Sequence, residues 1–348
     1  MAAMDSELRH CLRLLPKAEL HIHLEGALNP ADLLALSERH GYPFGLRDLA
    51  ACRRLYSFQD FPGFIQAIKT ASQHLITPED YAWAVEQMGR RLAAQGIVYA
   101  EVFVSIGILH WKGTPVVPVW EAIEAARREL EARHALRLAW IFDAVRQFGA
   151  EAAERVLDEA ISRRATGPVV AIGIGGDEIG GPAEWFTETF ARARAAGIGG
   201  TAHAGETAGP ESVSAALDAL RVRRIGHALS AVRDPRLLAR LAESEIYLDV
   251  CTMSNTKTGC WRGDGDHPVR IFDNGSVKWS CGSDDPGIFG SSLLKELYYC
   301  HNNLHLAWPS LRRSLRNGFL GAFLPAAERD AYLARFDAAW EQLRLPAS

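Results

Sequence analysis

One rhythm constrains this chain more than any other feature. Short apolar runs alternate with Ala/Arg/Glu-rich segments of helical spacing. Glu19-Leu-His-Ile-His-Leu-Glu-Gly26 supplies the first run; Ile97–Val104, Leu136–Phe142, Val169–Ile174, Ile198–Ala202, Arg224–Ile225, Ile246–Val250 and Val277–Ser280 follow. Val119–Arg133, Glu151–Ala165, Ala183–Ala196, Pro210–Leu220 and Pro235–Glu243 read as the helices between them. Most of the runs are apolar on both faces, as strands of a buried parallel sheet must be. Eight such β/α units predict a (β/α)8, TIM-type barrel rather than a doubly wound sheet. No Gly-x-Gly-x-x-Gly turn follows the first run, and Gly173-Ile-Gly-Gly176 has the wrong spacing to bind a dinucleotide. No linker or repeat divides the chain, so residues 1–348 are expected to form a single domain.

Between the first and second strands lies a long helical insertion. Asn29-Pro30-Ala31-Asp32 carries an N-cap, a proline suited to the first turn and an acid at the positive end of the dipole. That helix should run to about His40 and stop at Gly41. The stretch 46–72, with Phe58, Phe61 and Phe64, reads as aromatic-rich helix, and Thr77-Pro78-Glu79-Asp80 starts another that ends before Gly96.

Composition excludes whole classes of function. A net charge of −4 offers no electrostatic footprint for nucleic acid or an anionic membrane. Residues 1–15 carry Asp5, Glu7, Arg9 and Arg13, so they are expected to be neither a signal peptide nor a membrane span. The six cysteines are scattered with no Cys-x-x-Cys pair, which favours a reducing cytoplasm.

In a barrel of this kind chemistry collects at the C-terminal ends of the strands, and the ionisable residues here fall there. His21 and His23, two apart, project from one face of the first strand. Asp143 to Arg146 end the third run, Gly176-Asp177-Glu178 the fourth, and His203-Ala-Gly-Glu206 the fifth. Gly226-His227 ends the sixth, and Ser283-Asp284-Asp285-Pro286 follows the eighth. Any one could be a hydrogen-bonded surface residue or a turn; six clusters at one barrel end point to a site. Three histidines with an aspartate suit zinc, with iron or cobalt as substitutes, and such a metal activates water at neutral pH. Glu206 is a candidate proton donor, and His227 a candidate base or electrostatic partner of the water.

Glu-Leu-His-Ile-His-Leu-Glu-Gly, His-Ala-Gly-Glu, Gly-His and Ser-Asp-Asp-Pro, in this order, resemble the adenosine deaminase family of the amidohydrolase superfamily from Leu15 to about Tyr299. The resemblance implies a distorted (β/α)8 barrel with one zinc held by His21, His23, His203 and Asp284. It implies that Glu206 protonates purine N1 and that His227 with Asp284 activates the water. It also implies that Asp285 hydrogen-bonds N7 and that the backbone of Gly176 meets N3. Water oxygen then adds to C6 and ammonia leaves.

Two departures bear on the substrate. Adenosine-specific members carry Asp two residues past the second histidine, where it meets the ribose 5′-hydroxyl; here Glu25 stands there. Trp140–Gly149 and Glu101–Gly107 look like the branch that deaminates 6-aminodeoxyfutalosine, an adenine nucleoside bearing a carboxyphenyl ketone and used in an alternative menaquinone pathway. Adenosine deaminase is the alternative reading, with adenine deaminase behind it. Arg146 is expected either to pair with the substrate carboxylate at the pocket mouth or to stay solvated against an acid such as Glu151. Lys278-Trp-Ser-Cys281 and Ser283 are unusual for either branch.

Rival classes fail on particular residues. A cytidine-deaminase site needs Pro-Cys-x-x-Cys, which is absent. A two-metal amidohydrolase would usually need a lysine ending the fourth strand, and none stands there. A dead binding barrel would not retain every ligand together with the acid and the base.

Overall fold

The apolar alternation closes on itself. The computed structural model describes residues 6–262, 267–343 and 345, and its eight strands are parallel and pair in sequence order. They are β1 (Lys17–His23), β2 (Ile97–Val104), β3 (Arg137–Val145), β4 (Val169–Gly175), β5 (Gly199–Ala204), β6 (Arg224–His227), β7 (Tyr247–Val250) and β8 (Trp279–Cys281). The seam is made just past β8, where Asp284 bridges to Ile22. Asp284 N donates to His21 O at 2.8 Å and His23 N donates to Asp284 O at 2.9 Å. Closing the barrel therefore sets Asp284 beside His21 and His23.

Both faces of the strands are covered, by helices outside and by side chains within, which is why the runs lack polar alternation. At the opposite end of the barrel from Asp284, one buried charge is fully paired. Arg224, at the start of β6, is wholly buried and lies 3.0 Å from Asp249 Oδ2; it also pairs with Glu101 and donates to Leu20 O at 3.0 Å. A buried guanidinium is tolerated only with its donors satisfied in this way.

The helices that matter for the site are α1 (Ser6–Leu14), which precedes β1; α2 (Pro30–Arg39), α3 (Leu49–Leu55), α4 (Phe61–His74) and α5 (Pro78–Ala93), which form the insertion; and α6 (Ile106–Lys112), which follows β2. Asn29 caps α2 as expected, accepting from Ala31 N at 2.8 Å and Asp32 N at 3.0 Å, and Gly41 ends that segment at φ +70°. The helix expected over 46–72 is two helices, because Asp60 recaps the chain through Gly63 N at 2.9 Å.

Other boundaries shifted for similar local reasons. β3 runs three residues beyond the expected Phe142, to Val145, and β6 extends to His227, because Asp143 and Gly226 interrupt the apolar runs before the strands end. The expected helix over 183–196 opens as a 3-10 turn, Ala183–Phe186, before Thr187–Ala195. The expected helix Pro210–Leu220 relaxes to π geometry over Ala216–Leu220. Leu293–Asn302, Trp308–Leu320 and Ala326–Gln342 are further helices that follow β8, outside the expected β/α units. Among the described residues no helix is long and apolar enough to cross a membrane.

Candidate metal centre and active site

Strand periodicity puts His21 and His23 on the same face of β1, and the barrel brings His203 from β5 and Asp284 from the seam to meet them. One ligand atom from each of the four lies within 4.8 Å of all the others. His21 Nε2 stands 3.1 Å from His203 Nε2 and 3.5 Å from Asp284 Oδ1, and His23 Nε2 is 3.4 Å from that same oxygen. Glycine makes the approach possible: a Cβ on Gly226 would stand 2.7 Å from His21 Cε1. His203 Nδ1 is 3.0 Å from Ile174 O and must donate to it, leaving the Nε2 lone pair facing the cluster.

The electrostatics of this cluster call for one cation at its centre. Burial drives His203 down to about 4, helped by the charge of His21, and burial holds His23 well below the ordinary imidazole value. Burial opposes charge on His21 too, yet Asp249 and Asp284 outweigh it and push His21 up to about 10. Its Nδ1 faces Asp249 Oδ2 at 3.9 Å without reaching hydrogen-bond length. Three imidazole nitrogens and one carboxylate around a single point are the donor set of a tetrahedral divalent metal, which would take the place of that proton. The residues fit a metal.

Other titratable groups surround the cluster. Glu206 Oε2 is 3.6 Å from His227 Nε2, which is 4.0 Å from Asp284 Oδ2. Burial, then the charges of Asp284 and Glu178, raise the Glu206 carboxyl well above the carboxylate range. Asp285 is raised as well, first by burial and then by Asp284, and among the described residues its Oδ1 has no hydrogen-bond partner. Gly26 ends the first motif for want of room, since a Cβ there would overlap the Asp285 carboxylate. His227 and Asp284 sit at φ +66° and +60°, strained backbone that clusters at functional sites. The Asn255 side-chain amide lies 3.0 Å from His227 Nδ1 and fixes the orientation of the ring.

A cavity of about 420 Å³ opens over this floor. His23, His203, Glu206, His227, Asp284, Asp285 and Gly176 line it, as does Asp143 at the end of β3. Asp143 belongs to the strand-end cluster after β3; among the described residues its Oδ1 is unpartnered, and burial raises its carboxyl to about 8.

Two expectations require correction. Arg146 does not reach the pocket mouth and is not solvated. It is wholly buried, donating to Gly181 O at 2.9 Å and to His203 O, because β3 continues to Val145 and leaves Arg146 in the turn beneath the Gly181 loop. Glu25 lies outside the cavity lining: it is buried in the 3-10 turn after β1, where Oε1 accepts from Ser105 N at 3.0 Å. Two residues of the expected strand-end clusters, Glu178 and Ser283, take supporting roles. Glu178 accepts from Gly205 N, Glu206 N and Thr207 N at 2.6, 2.8 and 2.8 Å and from Ser212 Oγ at 2.5 Å, fixing the turn that carries Glu206. Ser283, puzzling in the sequence, donates through N and Oγ to buried Glu19, each at 3.2 Å. A lone buried acid two residues from His21 was the available signal for that pair.

A closed parallel barrel that gathers imidazoles and carboxylates at its C-terminal face is the architecture of an amidohydrolase. The sequence model of the family described as adenosine deaminase matches residues 16–339, and the chain belongs to that family of hydrolytic deaminases. It is 38% identical over 330 residues to the aminodeoxyfutalosine deaminase of Streptomyces avermitilis, covering 94% of this chain and 92% of that one. It is 36% identical over 310 residues to the adenine deaminase of Bordetella avium, covering 88% and 96%. Among solved structures, an amidohydrolase from Burkhoderia ambifaria with bound Zn superposes at a TM-score of 0.89 with 26% identity, covering 99% of this chain and 96% of the other.

Proposed function

We propose that this chain is a zinc-dependent deaminase that converts the 6-amino group of an adenine-ring nucleoside to a 6-oxo group, and that its substrate is aminodeoxyfutalosine. His21, His23, His203 and Asp284 would hold the ion; a nitrogen-rich set with one carboxylate suits zinc, with iron or cobalt able to substitute. Bound there, the ion lowers the pKa of a water molecule so that it is a nucleophile at neutral pH.

The protein's own groups supply the rest. Adding oxygen to C6 breaks the ring conjugation unless N1 gains a proton, and Glu206, kept protonated by burial, is the donor. His227, oriented by Asn255 and with Nε2 4.0 Å from Asp284 Oδ2, is the electrostatic partner of the attacking water. Asp284 Oδ2 takes the water proton. Asp285, also kept protonated, donates to N7, which can only accept. The Gly176 backbone meets N3. Asp284 passes the water proton to the departing amine, so ammonia leaves as the C6–N bond breaks; N1 keeps its proton, and the proton of the new C6 hydroxyl restores Glu206 as the C6 carbonyl forms.

The observation that carries the substrate reading is the extent of the cavity. It continues past the floor beneath α4 to Trp111 and Phe148, farther than a bare base needs. On this reading residues 1–348 are one catalytic domain acting in the cytoplasm on the alternative menaquinone pathway. The relative from Bordetella avium favours a second reading, adenine deamination. A panel of adenine, adenosine, methylthioadenosine and aminodeoxyfutalosine, followed by purine absorbance and ammonia release, separates them. Aminodeoxyfutalosine should give the highest kcat/KM; a clear preference for adenine would replace the first reading with the second.

A further inference from the structure

The wall opposite the acidic floor is written by one face of α4. Phe61, Phe64, Ile65, Ile68, Lys69 and Ser72 all line the cavity, and their spacing of three and four is that of a single helical stripe. Trp111 of α6 and Phe148 after β3 face this stripe as a parallel stacked pair, with ring centroids 6.4 Å apart and planes 16° apart. Lys69 Nζ lies 5.6 Å from the centroid of Trp111.

Charge along the cavity is polarised. Asp143, Glu206, Asp284 and Asp285 occupy the floor, and among the described residues Lys69 is the one lysine or arginine in the lining. Among the described residues no carboxylate pairs with Lys69, whose side chain is exposed at the mouth. An unpaired ammonium beside a flat aromatic slot is a receptor with an unfilled half.

We infer that Lys69, with the Trp111–Phe148 pair, forms a specificity subsite for a flat aromatic group bearing a carboxylate, carried on the purine's sugar side. The inference rests on the nucleoside reading above. The rings take the aryl plane and the ammonium takes the anion. A phosphate is the other source of negative charge, but phosphate sites gather several donors, an arginine fork or a helix N-terminus, and this mouth offers one flexible amine among apolar rings.

The test measures binding apart from turnover, by calorimetry with the 6-oxo product of aminodeoxyfutalosine, the methyl ester of that product, and inosine monophosphate. Lys69→Met keeps the length of the stem and should weaken the carboxylate product about tenfold, the worth of a half-screened charge-assisted contact. It should leave the ester within about twofold, and Lys69→Arg should restore carboxylate binding. For the wild type, added salt should weaken the acid and not the ester. Equal affinity of wild type and Lys69→Met for the acid, or equal losses on acid and ester, overturns the inference. Lys69-dependent binding of the monophosphate without that of the aryl acid overturns it too. If the product binds with the expected dependence while its 6-amino precursor is not deaminated, the subsite stands and the proposed function fails.

Discussion

Glu178 touches neither metal ligand nor substrate cavity, yet Glu178→Gln should cripple the enzyme, and the cost can be worked from its contacts. Oε1 accepts from Glu206 N and Thr207 N, and Oε2 accepts from Gly205 N and Ser212 Oγ. Despite burial, those bonds and the charge of Arg146 hold the carboxyl below its usual range, so it is a carboxylate in the fold. Glutamine puts an NH2 where one oxygen was. The Ser212 hydroxyl can rotate to accept, but the Gly205 N–H is left facing a donor, at about 1–3 kcal/mol, and the remaining bonds lose their charge assistance. A total near 3 kcal/mol follows. With roughly 2.1 cal/mol/K of unfolding entropy per residue over 348 residues, that is about 4 °C of Tm. Displacing Glu206 by about 1 Å should lower kcat on the order of a hundredfold. Thermal melts, metal analysis and steady-state kinetics on one preparation check all three quantities, and metal content should stay normal. Near-wild-type kcat together with an unchanged Tm would refute the assignment of Glu178 as the support of the Glu206 turn.

Further outcomes follow from other contacts. Glu206→Gln should retain metal and lose about two to four orders of magnitude in kcat, because the amide cannot protonate N1; a rate within a few-fold of wild type removes Glu206 from the mechanism. Arg146→Met should depress stability and lower kcat/KM equally on every substrate, since its guanidinium holds the carbonyls of Gly181 and His203; a loss confined to carboxylate-bearing substrates would contradict that structural role. Glu296 is raised to about 8 by burial and then by the charge of Asp284, against its bonds from Thr252 and Met253. The fold therefore binds the extra proton between the unfolded value and about 8, and this contribution to stability is complete below the unfolded pKa and lost as pH rises through about 8. Melts of wild type and Glu296→Gln between about pH 6 and pH 9 should show the variant gaining on wild type as pH rises, and a constant gap would contradict the raised carboxyl.

Much of the site was legible because two periodicities are local. A strand repeats every two residues, so His21-x-His23 had to present both rings together, and eight apolar runs separated by helical segments leave a parallel barrel as the economical closure. In such a barrel the ends of the strands share one rim, which is why His203, Glu206, His227 and Asp284 could be grouped before any distance was known. What the sequence could not fix was which way a residue just past a strand points. β3 ends at Val145 rather than Phe142, and that difference sends Asp143 into the cavity and Arg146 into a buried turn. Glu25 suffered the same fate in the turn after β1. Glu178 beneath the Glu206 turn, Asn255 on His227 and Lys69 across from Trp111 are pairings between distant segments. Local propensity carries no information about such pairs; only closure of the barrel and packing of the insertion across its mouth brought them together.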